Sequence, residues 1–272
     1  MIKLLLGLLS LGVLAYVGMG LFLYLYQRQL LYYPTPALPH ADLQSVRIQN
    51  QGHELHAWKV GPINARAVLY FGGNAEDVGN NADAFRNTLP ELTIYLSEYR
   101  GYGRSEGKPS EQGLYSDALA WYDHLATMHD HVMVIGRSLG SGVASYVAAN
   151  REPVGLILIT PFDSIRDLAK GFYPLYPMSV LLRDPFDSLS RAKRIASPCL
   201  ILLAEHDTVV PRNHSERLID ALSASQVKVK VNTLYETDHI TVAAVPAYWN
   251  AMASFIRQTP VASSSRRGLT RP

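Results

Sequence analysis

The chain opens on an apolar run unlike anything that follows it. From Leu4 to Tyr26 no residue is charged, and only Ser10 is clearly polar. At about 1.5 Å per residue, some 20 such residues cross the hydrocarbon core of a bilayer. The run is apolar on every face, whereas a helix packed on a soluble core carries one apolar stripe. A cleaved signal peptide is the competing reading, since Gly18-Met19-Gly20 offers small residues. The apolar part of a signal is shorter, roughly 7–15 residues, and here the run continues through Leu21, Phe22, Leu23, Tyr24, Leu25 and Tyr26. An uncleaved membrane anchor over residues 1–28 is therefore expected. Tyr24, Tyr26, Tyr32 and Tyr33 would form its interfacial aromatic belt. Lys3 and Arg28 flank opposite ends, so no charge asymmetry sets an orientation.

Pro34, Pro36 and Pro39 predict a short stiff linker over residues 29–42. From Leu43 the pattern becomes short apolar strands separated by amphipathic stretches. Strands are expected at 44–49, 54–60, 67–71, 93–98, 132–135, 154–160, 199–204 and 227–235. Helices are expected at 76–89, 111–128, 138–150, 212–222 and 245–257. The later strands are continuous apolar runs, as in strands covered on both faces. The first two have no helix between them and read as an antiparallel hairpin. The expected fold class is α/β: a mostly parallel eight-stranded sheet with helices on both faces, over residues 43–258.

Composition adds little to that picture. At 272 residues the chain suits one core with appendages, and 48% hydrophobic residues exclude a disordered chain. A net charge of +2, with no long basic run, gives no case for nucleic acid. Cys199 is the only cysteine, so no intrachain disulfide forms. His53 and His56 do not make H-E-x-x-H, which leaves a zinc site little support. Residues 259–272, with Ser263-Ser264-Ser265 and Arg266-Arg267, read as a disordered basic tail.

The chemistry centres on Gly136-Arg137-Ser138-Leu139-Gly140, a G-x-S-x-G pattern. It follows the strand-like 131–135 and opens the helical 141–149, the strand–turn–helix setting of a nucleophile elbow. A serine hydroxyl needs a base to take its proton. His239, in the loop after the last strand, is the expected base. The acid that orients it is expected at Asp207, just past a buried strand, with Asp163 and Glu205 as alternatives. The order Ser138, Asp207, His239 is that of the elbow's usual triad. Two backbone donors are needed for an oxyanion. Leu139 N–H is one. The other is expected from the turn Gly72-Gly73-Asn74-Ala75, from Asn74 first and Gly73 second. The loop Tyr99–Gly107 begins like a phosphate loop but matches no nucleotide motif, and reads as a brace for the site.

With these residues in place, 43–257 resembles the α/β-hydrolase superfamily. It is most similar to the short, membrane-anchored branch of serine hydrolases that includes protein depalmitoylases. The resemblance rests on Gln27–Tyr32, Gly73-Asn74-Ala75, Tyr99–Ser105, the 136–140 elbow, and the Asp207 and His239 loops. One departure stands out: many relatives carry His where this chain has Gly72. The resemblance implies acyl transfer to water through an acyl-serine, with no metal or cofactor. Between Pro161 and Pro198 lies an insertion too short for a large cap. Its Phe162, Tyr173 and Tyr176, with Gly73, are the expected substrate contacts. They would favour a small-molecule or lipid-like ester or thioester. A serine peptidase of the same fold and a catalytically silent, membrane-tethered scaffold are the rival readings.

Overall fold

The computed structural model describes residues 1–225 and 227–260. The chain begins with one long helix, α1 (Ile2–Leu31), which is long and apolar enough to cross a membrane. An eight-stranded sheet follows: β1 (Gln44–Asn50), β2 (His53–Val60), β3 (Arg66–Phe71), β4 (Thr93–Ser97), β5 (His131–Arg137), β6 (Leu156–Ile159), β7 (Cys199–Ala204) and β8 (Val229–Leu234). The helices after α1 are α2 (Ala82–Thr88), α3 (Glu111–Ala126), α4 (Leu139–Asn150), α5 (Ile165–Phe172), α6 (Met178–Leu181), α7 (Ser188–Arg191), α8 (Arg212–Ala224) and α9 (Pro246–Gln258). The spatial strand order is β1-β2-β4-β3-β5-β6-β7-β8. Only β1–β2 and β2–β4 pair antiparallel. The expected hairpin is there, turned by Gln51 and Gly52, both at positive φ as a two-residue hairpin turn requires.

Alternation along each strand supplies both faces of the core. In β3, Leu69 and Phe71 face one side and belong to one apolar cluster with Trp121 of α3, Val143 of α4 and, further along the sheet, Leu218 of α8. Val68 and Tyr70 point the other way, towards Phe85 of α2 and Met252 and Ile256 of α9. The chain leaves β3 towards β4 on one side and returns to β5 on the other. That reversal opens a crevice at the carboxyl ends of β3 and β5, where open α/β sheets hold their ligands.

Four local expectations change. The helix expected over 76–89 is a 3₁₀ turn, Val78–Asn81, followed by α2, because Asp77 caps the backbone N–H of Gly79. The first helix runs past Arg28 to Leu31. The proline segment after it lies against the domain: the Thr35 carbonyl accepts from Gly103 N–H (2.9 Å) and His40 bonds Asp77 (3.0 Å). Lastly, the 161–198 insertion contains a full helix, α5, capped by Ser164 through the Asp167 N–H. Of the expected tail, residues 261–272 lie outside the described residues.

Candidate active site

Ser138 sits between β5 and α4 with φ +50° and ψ −115°, a conformation an L-residue holds only when its surroundings impose it. The imposition is steric. A Cβ at Gly136 would lie 2.1 Å from the Gly140 carbonyl oxygen, and one at Gly140 would lie 2.1 Å from that of Phe71. Glycine at both positions lets β5, α4 and the end of β3 close together, and the serine is left on the crest of the turn.

The β7–β8 end of the sheet brings the other two groups to it. His239 Nε2 is 2.8 Å from Ser138 Oγ, and His239 Nδ1 is 2.8 Å from Asp207 Oδ2. The second oxygen of Asp207 accepts the N–H groups of Val209 (3.0 Å) and Val210 (2.8 Å), which holds the carboxylate in one orientation. The alternative acids are engaged elsewhere. Asp163 is fully buried and bound to His214 (2.8 Å) and Arg217 (2.5 Å). Glu205 accepts the N–H of Glu236.

The Gly72–Ala75 turn faces the elbow, with a Cβ at Gly73 placed 3.7 Å from Ser138 Cβ. Its two candidate donors differ. Gly73 N–H already donates to the Glu76 carboxylate at 2.5 Å, so it is not free for a substrate oxygen. Among the described residues, no acceptor takes the N–H of Asn74 or of Leu139. Leu139 opens α4, where the first N–H groups have no partner within the helix and carry its positive dipole end. The Asn74 side chain fixes the turn. Its Oδ1 accepts from Tyr102 Oη (2.7 Å) and Tyr33 N–H (3.0 Å), and its Nδ2 donates to the Leu31 carbonyl (2.6 Å). Tyr99 Oη donates to the Gly72 carbonyl (2.7 Å). Burial pushes both phenols above their ordinary pKa, so they remain donors. The Tyr99–Gly107 loop thus braces this turn.

Ser138, Leu139 and Asn74 open on an apolar cavity of about 590 Å³. Phe162 and Tyr173 line it, as do Leu168 and Met178 of the insertion and Val210 of the acid loop. Tyr176 does not. It stacks instead on Tyr16 of α1, with ring centroids 4.7 Å apart. Sequence reasoning missed the remaining wall entirely, which comes from Leu23, Gln27, Leu30 and Leu31 of α1. It also missed Glu76 and Arg137. Glu76 accepts from Tyr70, Asn81 and Gly73 and lies 3.6 Å from Arg137. Among the described residues, no cluster of His, Cys, Asp and Glu could hold a metal ion.

Fold and strand order define an α/β hydrolase. Residues 103–256 match the model of the dienelactone hydrolase family, and the chain belongs to that family. Among its relatives is a protein of Saccharomyces cerevisiae described as an uncharacterized membrane protein. The two are 30% identical over 86% of this chain and 90% of the other. A lysophosphatidylserine lipase of Danio rerio is 34% identical over 58% of this chain and 48% of its own length. Among solved structures, an esterase of Pyrococcus furiosus superposes with a TM-score of 0.69 at 15% identity, covering 84% of this chain and 97% of the esterase.

Proposed function

We propose that this hydrolase cleaves carboxylic esters or thioesters through an acyl-serine intermediate. Ser138 is the nucleophile, His239 the base and Asp207 the acid. The single observation that carries the reading is the unbroken chain Asp207–His239–Ser138, two links of 2.8 Å, ending at an apolar cavity. Ser138 Oγ attacks the acyl carbonyl carbon as its proton passes to His239 Nε2. Asp207 steadies the imidazolium that results. The N–H groups of Asn74 and Leu139 stabilise the oxyanion, a term worth on the order of a hundred- to thousandfold in rate per donor. Collapse expels the alcohol or thiol, which takes the proton from His239. Water, deprotonated by the same imidazole, then attacks the acyl-serine and releases the carboxylic acid. No cofactor takes part. The substrate contacts are Phe162 and Tyr173, with Gly73 shaping the turn, and α1 holds the enzyme in a membrane.

A fluorophosphonate probe tests this directly. Wild type should be labelled and Ser138→Ala should not; a folded wild type that stays unlabelled would falsify the assignment. Turnover of p-nitrophenyl esters, set against aminoacyl anilides, then separates an esterase from a peptidase, and the esters should be the faster substrates.

A further inference from the structure

The part of α1 that meets the catalytic domain is not a tether. Gln27 Nε2 donates to the Leu181 carbonyl (3.1 Å), and its Oε1 accepts the Arg183 N–H (2.6 Å). Arg28 pairs with buried Asp184 at 2.9 Å, and Arg183 lies over the Tyr24 ring. Further up the helix, Tyr16 Oη donates to the Leu175 carbonyl (2.8 Å) and Tyr176 Oη donates to the Tyr16 carbonyl (3.2 Å). The insertion is therefore fastened along one side of α1 from Arg28 up to Tyr16.

That fastening fixes its depth. Spanning a bilayer core takes about 20 helical residues, and any such window that fits within α1 includes Tyr16. When α1 spans, the tip of the insertion at Leu175 and Tyr176 must lie at the level of the hydrocarbon. Its composition suits that place. Residues 171–182 carry no charge and are bounded by Lys170 and Arg183. Leu175 and Val180 are 77% and 79% exposed, with nothing among the described residues to cover them.

Two apolar cavities lie in line between α1 and the insertion, and together they form a groove. The Ser138 cavity is walled by Leu23, Gln27, Leu30 and Leu31 of α1. A second apolar cavity of about 340 Å³ lies nearer the start of α1, walled by Tyr16, Gly20 and Tyr24, and it shares Leu181 with the first. The spacing of three to four keeps these residues on one helix face.

We infer that the 171–182 insertion dips into the bilayer beside α1, and that the groove between them delivers the long acyl chain of a membrane lipid to Ser138. This rests on the proposed hydrolase reading and narrows its substrate class. The lipid is the occupant because the groove follows a membrane-length helix and its outer lip is uncharged.

The test uses the full chain in phosphatidylcholine nanodiscs and two esters with the same leaving group. p-Nitrophenyl palmitate dissolves in the bilayer, whereas p-nitrophenyl acetate stays in water. The Leu175→Asp/Val180→Asp variant should turn over the palmitate at least tenfold more slowly and the acetate as fast as wild type. Equal palmitate turnover in both proteins, or an equal fall with both esters, overturns the inference. A nitroxide at Leu175→Cys in otherwise wild-type chain gives a readout free of activity. Its relaxation should respond to oxygen far more than to a water-soluble nickel chelate, and the opposite order also overturns the inference. A wild type that leaves the acetate intact would count against the hydrolase reading alone, and the nitroxide would still decide where the insertion lies.

Discussion

Arg137 donates from Nη2 to the carbonyl oxygen of Ile240, at 3.0 Å, and so the residue before Ser138 holds the loop that carries His239. The same guanidinium reaches the His239 carbonyl at 3.3 Å and lies 3.6 Å from Glu76 Oε2, the oxygen that accepts Gly73 N–H and so ties down the Gly72–Ala75 turn. Burial is the largest influence and works against its charge, but Glu76, Tyr70 and Tyr248 together outweigh it and lift the pKa above the ordinary arginine value. One charged pair therefore spans the two loops that must meet over Ser138. Neither residue reaches the reacting atoms, so both act by positioning.

Arg137→Ala should loosen the His239 loop without touching the cavity. An ångström of misplacement can cost on the order of a hundredfold in rate. The expected result is kcat lower by about 10- to 100-fold with KM for p-nitrophenyl acetate little changed. Steady-state kinetics check it, and a KM rise without loss of kcat would sink the positioning role.

Asp207→Asn tests the acid. Asparagine keeps the shape but offers the imidazole either an amide donor or a neutral acceptor. It holds the ring less firmly and leaves the imidazolium without a counter-charge. The expected fall in kcat is roughly 10³- to 10⁴-fold. Asp163→Asn is the comparison, since Asp163 holds His214 and Arg217 and not His239. It should show itself in thermal unfolding and leave the pH dependence of kcat unmoved.

Legibility divides along the range of the interactions. The strands and the elbow could be anticipated because they follow from local pattern: short apolar runs, glycines at fixed offsets, and a serine between a strand and a helix. The spatial order of the strands is long-range and came only from the structure. His239 and Asp207 were read from their places just past the last strand and just past a buried strand, and the structure sets the two side chains beside each other and His239 beside Ser138. The wall supplied by α1 could not be seen, because a helix apolar on all faces carries no stripe to say which face is packed. Tyr176 looked like a substrate contact for the same reason: nothing local says that an aromatic in an insertion will stack on Tyr16, 160 residues away. The loss of Gly73 N–H to Glu76 is different. It is a three-residue relationship, but its meaning depends on the Arg137 that Glu76 also faces.

Gly140→Ala should damage the fold more than its size suggests. The added Cβ would lie 2.1 Å from the Phe71 carbonyl oxygen and 2.7 Å from that of Gly72, both backbone atoms with no room to swing aside. Overpacking of this kind costs about 1–3 kcal/mol or more. It should lower the thermal unfolding midpoint and separate the start of α4 from the oxyanion turn. Gly12→Ala is the control, since a Cβ there meets nothing within 4 Å. A midpoint equally insensitive to both changes would refute the close approach.

Cys199 makes a prediction about chemistry the enzyme should not do. It starts β7, is fully buried and has no disulfide partner. Burial penalises the thiolate and pushes the thiol pKa well above its ordinary value. Alkylation needs the thiolate, so raising the pH to 8 should not expose the native chain to iodoacetamide. Reaction has to wait for opening of the sheet between β6 and β8, and its rate should fall by at least about 10³-fold relative to the chain in guanidinium, in line with the population of open states. Mass spectrometry of quenched samples reads the modification. Rapid native labelling at Cys199 would mean that β7 opens far more readily than a central strand should, and the loop that presents Asp207 to His239 would then be anchored to a mobile element.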